Sequence, residues 1–93
     1  MAKGVSVDSA AVEGGIRCCQ TSIREFETTA KKLVHAYRMA GSGGWKDQKY
    51  AELGRIVQDC CMAMKKPREE LLDCLEKLEE LLRAVRRYES TDL

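Results

Sequence analysis

The stretch GSGGWKDQKY, Gly41 to Tyr50, holds the densest glycine cluster of the chain and its only tryptophan. Glycine ends helices because it enters left-handed backbone conformations without a Cβ penalty. Asp47, two residues past Trp45, is a residue type that opens them, since its carboxylate accepts from free backbone N–H groups. The stretch therefore reads as a stop followed by a start. The fold depends on what lies to either side.

Upstream, apolar residues fall at Val12, Ile16, Cys19, Ile23, Phe26, Ala30, Leu33, Tyr37 and Ala40, in steps of four and three. Charged residues such as Arg17, Arg24, Glu25, Lys31, Lys32 and Arg38 fill the gaps. This is a heptad seam on an amphipathic helix, predicted over about residues 8–40 with Asp8 as its N-cap. Gly14 and Gly15 weaken its first turns, by roughly 1 kcal/mol each relative to alanine.

Downstream the pattern resumes at Tyr50, Leu53, Val57, Cys60, Met64, Pro67, Leu71, Cys74, Leu78, Leu81, Val85 and Tyr88. A second helix is predicted over about 47–89, with a short tail at 90–93. Pro67 lies within this seam, where it removes a backbone hydrogen bond and crowds the preceding turn. PREE would also suit a fresh helix start. The register nevertheless passes through Pro67 without a slip and no loop residues flank it, which predicts one kinked helix rather than two.

Helices of about 50 and 60 Å, joined by a turn at 41–46, must run antiparallel. The fold class is all-α, a two-helix hairpin forming a single domain. A second apolar stripe on the later helix, Cys61, Leu72, Leu75 and Leu82, exceeds what one partner helix can cover. Pairing of two hairpins into a four-helix bundle would hide it. Ile23, Phe26, Leu71, Leu72, Leu75, Leu78, Leu82 and Val85 are the expected partner-helix interface. The partner is either a second copy or another helical protein with its own surplus face.

Composition narrows the function. Sixteen basic side chains against 15 acidic give a net charge of +1, without the basic face that nucleic-acid binding needs. Arg83, Arg86 and Arg87 are offset by Glu79, Glu80 and Glu89 and suit the end of a helix dipole. No apolar run is long enough to span a membrane, and Asp8 and Glu13 interrupt any signal-peptide core. The five cysteines form two vicinal pairs and Cys74, with no zinc-binding spacing; they read as small apolar residues in a reducing compartment. His35 falls on the polar side, and neither a buried carboxylate pair nor a phosphate loop is present. No catalytic site, metal or cofactor is expected.

Two heptad-patterned helices joined by a glycine turn with a tryptophan resemble the WXG100 (ESAT-6-like) family. The resemblance covers most of the chain, including VSVDSAAVEGGIR and SGGWKDQKYAEL. The family's Trp-x-Gly becomes Trp45-Lys46-Asp47 here, with a capping aspartate in place of the glycine. Exported members carry a Tyr-x-x-x-Asp/Glu signal past the second helix, and YESTDL places Tyr88 and Asp92 at that spacing. The resemblance implies a small protein of type VII secretion systems. Such a protein is cytoplasmic before export and is secreted without a cleavable signal peptide. It is either a homodimeric substrate or a targeting partner that pairs with a WXG-like or toxin N-terminal helical domain.

Head-to-tail pairing of two hairpins would set the turn of each against the tail of the other. Trp45 and Tyr88 would then form a composite signal, as the resemblance also implies. More simply, Trp45 would plug the bundle end over Tyr37, Ala40 and Leu53. The alternative function is a cytoplasmic helical interaction module, scaffold or antitoxin, that is never exported. Free thiols favour it, but it makes no use of Trp45 or of the Tyr88/Asp92 spacing.

Overall fold

The structure, a computed structural model, describes residues 8–91. It is an antiparallel helical hairpin of two elements, α1 (Ser9–Ser42) and α2 (Gln48–Thr91). The molecule measures 69 × 19 × 16 Å. Both aspartates act at the helix starts as the sequence predicts. Asp8 accepts from the Ala11 N–H at 3.2 Å and Asp47 from the Tyr50 N–H at 3.0 Å, each cap contributing about 1 kcal/mol. α2 is continuous through Pro67, so the proline does not divide it.

The end of α1 explains the position of the tryptophan. Gly44 takes φ +99°, its N–H donates to the Gly41 carbonyl at 3.0 Å, and the Trp45 N–H donates to the Ala40 carbonyl at 3.3 Å. These two bonds are the Schellman pattern, in which the residue after a left-handed glycine reaches back to the helix end. Only glycine sits at φ +99° without strain, so GSGG ends the helix and places Trp45 against its last turn.

Every seam residue expected on α1, from Val12 to Ala40, is buried or half-buried. On α2 the expectation holds through Leu71 and then changes row. Cys74, Leu81 and Tyr88 lie exposed, while Leu75, Leu78, Leu82 and Val85 are half-buried. An α-helix turns 3.6 residues at a time, so a seven-residue row drifts by about 20° per heptad unless the pair supercoils fully. Along α2 that drift takes one row from half-buried Leu53, Cys60 and Pro67 out to exposed Cys74, Leu81 and Tyr88. It brings Cys61, Arg68, Leu75 and Leu82 in. Much of the stripe expected for a partner is therefore taken up inside the hairpin.

Two helices bury little. Ile23 and Val57, each 8% exposed, are the only buried residues among those described. Ile23, expected at a partner interface, belongs to the hairpin's own small core. Glu13 with Arg86 and Glu27 with Arg68, the latter at 3.9 Å, join the two helices. Exposed pairs of this kind contribute about 0–1 kcal/mol and serve mainly to fix the register.

Candidate interaction surfaces

At the turn end the two helices clasp through aromatic rings set over glycines. Tyr37 and Tyr50 stack with centroids 4.4 Å apart and planes within 5°, and the Tyr50 hydroxyl donates to the Tyr37 carbonyl at 3.0 Å. Each ring lies where the facing helix has no side chain. A Cβ on Gly54 would come 2.7 Å from the Tyr37 hydroxyl, and one on Gly41 would overlap the Tyr50 hydroxyl. The arrangement is reciprocal: Tyr37 with Gly54, and Tyr50 with Gly41, both pairs centred on the turn. Partial desolvation, then the hydrogen bond and charge interaction with Tyr37, push the Tyr50 phenol above its ordinary value.

Trp45 extends this clasp outward. Its ring meets Tyr50 at 5.6 Å, tilted by 55°, and stays 41% exposed. The expected plug is thus made by the tyrosine pair, with the tryptophan as an open outer face. The glycine–tyrosine reciprocity was missed at the sequence level, although Tyr37 and Gly54 share their sequence midpoint with Gly41 and Tyr50, with tyrosine and glycine in the opposite order.

At the tail end Leu81 is 49% exposed and Tyr88 46%, with Cys74 on the same seven-residue row. Leu72 is also exposed, whereas Leu71, Leu75, Leu78, Leu82 and Val85 are half-buried. Midway, Phe26, half-buried, borders a shallow open groove with Ala30, Cys61, Met62, Met64 and Arg68. Trp45 and Tyr88 stand at opposite ends of the hairpin and do not meet within one chain. Asp92 lies outside the described residues.

His35 is exposed on α1, and no group of three or more metal-ligating side chains occurs among the described residues. None of their helices is long and apolar enough to cross a membrane. Comparison with protein-family models, curated proteins and solved structures returned no match.

Proposed function

We propose that this chain is a WXG100-like helical pairing protein of a type VII secretion system, exported itself or escorting a helical toxin domain. One observation carries the reading. Among the described residues the hairpin buries only Ile23 and Val57 yet keeps large apolar side chains exposed at both ends, Trp45 at the turn and Leu81 and Tyr88 near the tail. Surfaces of this kind mark association sites, and head-to-tail pairing into a four-helix bundle joins the two ends. Trp45 of one chain, Tyr88 of the other and the Asp92 that follows it then form one composite signal. Asp47 holds the turn in shape for it by capping α2.

A second reading, a non-exported cytoplasmic interaction module, is favoured by the five free cysteines, which suit a reducing compartment. The two readings separate in an export assay in the native host. Culture medium and cells are blotted for the wild type, Tyr88→Ala and Trp45→Ala, with and without the secretion motor ATPase. Motor-dependent wild-type protein in the medium, lost on Tyr88→Ala while helical content is unchanged, supports export. Retention of the wild type in cells, with any larger partner co-expressed, sinks it.

A further inference from the structure

The tail half of the hairpin carries a thiol on each helix at one level. Leu78 lies against α1 at Gly15, where an added Cβ would come 3.5 Å from a Leu78 methyl. The helices are antiparallel, so one turn further toward the middle is four residues forward on α1 and four back on α2. Those steps lead from Gly15 to Cys19 and from Leu78 to Cys74. Residues four apart stack on the same face of a helix, so both cysteines keep the flank on which Gly15 and Leu78 touch. The Glu13–Arg86 and Glu27–Arg68 pairs bracket that level and hold its register.

The remaining cysteines are placed otherwise. Cys60 and Cys61 precede Cys74 on the same helix by roughly 20 Å, whereas a disulfide needs Cα atoms within about 7 Å. The same turn-by-turn count sets Cys60 opposite Leu33, equally far from Cys19. Neighbours such as Cys18 and Cys19 have Cα atoms only about 3.8 Å apart, below the usual disulfide range. Cys18 also points about 100° round α1 from Cys19 and is exposed, while Cys19 is half-buried beside the seam.

We propose that Cys19 and Cys74 are an intrachain disulfide site that staples α1 to α2 at the tail end under oxidising conditions. The oxidant is a small-molecule disulfide such as oxidised glutathione. Exposed Cys74 attacks it as the thiolate, forming a mixed disulfide and releasing one reduced glutathione. The Cys19 thiolate then attacks the Cys74 sulfur and expels the second. Two thiols lose two electrons and two protons, which leave on two molecules of reduced glutathione. With free thiols, the tail end depends on Leu78 and its neighbours and on an exposed ion pair. With the bridge, Leu81 and Tyr88 stand on a helix that cannot part from α1. The staple goes beyond the secretion reading and does not rest on it, since it needs only an oxidising solution.

The test uses the full chain, reduced and then oxidised with glutathione disulfide at low protein concentration. Trypsin separates the three cysteine segments as peptides 18–24, 56–65 and 69–77. The expected product has the mass of one chain less two hydrogens, with peptide 18–24 joined to 69–77. Its melting temperature should exceed that of the reduced chain by roughly 10–20 °C, because the bridge closes a long loop in the unfolded state. Cys18→Ser should keep both the bridge and the rise; Cys19→Ser should lose both. Cys74 left as a stable glutathione adduct, joined to 56–65, or bridged only between chains would overturn the proposal. So would a Cys19→Ser chain that bridges as well through Cys18, or a bridge that lowers the melting temperature. The wild-type measurements need no variant to fold. Export is read separately, so a stapled chain retained in cells would sink the secretion reading and leave this one standing.

Discussion

Gly41 and Gly54, near the turn, each make room for a tyrosine from the facing helix; Gly14 and Gly15, at the far end, make room for little. An added Cβ at Gly14 has only the tip of Arg17 nearby, at 3.9 Å, and one at Gly15 would make ordinary contact with Leu78 at 3.5 Å. The turn end is closed by two stacked rings, a glycine stop and an aspartate cap. The tail end is held by Leu78 and its neighbours on one side and by the Glu13–Arg86 pair at its edge, while Leu81 and Tyr88 stay exposed. The turn end is closed by contacts within the chain apart from the outer face of Trp45. The other leaves Leu81 and Tyr88 exposed.

Alanine substitutions at the two ends should therefore have opposite signs. Gly54→Ala drives a methyl into the Tyr37 hydroxyl and must unstack the clasp. Overpacking of this kind costs about 1–3 kcal/mol, only partly offset by better helix propensity, so the melting temperature should fall by roughly 5–10 °C. An unchanged or raised value would show that the clasp yields freely. Asp47→Ala removes the α2 cap and should cost about 1 kcal/mol, read by thermal melts followed at 222 nm. Asp47→Asn should recover most of that loss, since asparagine caps as well.

Gly14→Ala, by contrast, should stabilise by roughly 0.5–1 kcal/mol, because helix propensity improves and nothing is displaced. A destabilised variant would mean that the tail end is packed more tightly than its open surroundings indicate. The smallest effect is in pH. The folded state holds the Tyr50 proton more tightly than the unfolded chain does. That contribution is fully present below the ordinary tyrosine value near 10 and is lost as pH rises through the higher folded value. Melting temperature should decline more steeply above about pH 10 in the wild type than in Tyr50→Phe, and equal slopes would remove Tyr50 as the cause.

The hairpin was legible in the sequence because its signals are local. Heptad steps name the helices, GSGG and Asp47 mark the turn, and Asp8 marks the start. Pro67 was read correctly as lying within one helix, since an unbroken register outweighed its propensity. The inward face of α2 beyond Leu71 was not legible. Sequence periodicity records that Cys74, Leu78 and Leu81 share a stripe, but which part of it faces α1 depends on how far the pair supercoils. The clasp was missed for a related reason. Glycines usually signal turns, and only the register across the hairpin shows Gly54 to be a seat for Tyr37.

The central claim is that this hairpin is completed by association, and the concentration dependence of its unfolding tests that most directly. Thermal melts of the reduced wild-type chain would be recorded over a hundredfold range of protein concentration. Pairing that favours the folded state makes the midpoint rise steadily with concentration through mass action. A midpoint that stays constant across the range, with a monomer's mass in solution throughout, would contradict the claim and leave the hairpin complete as it stands.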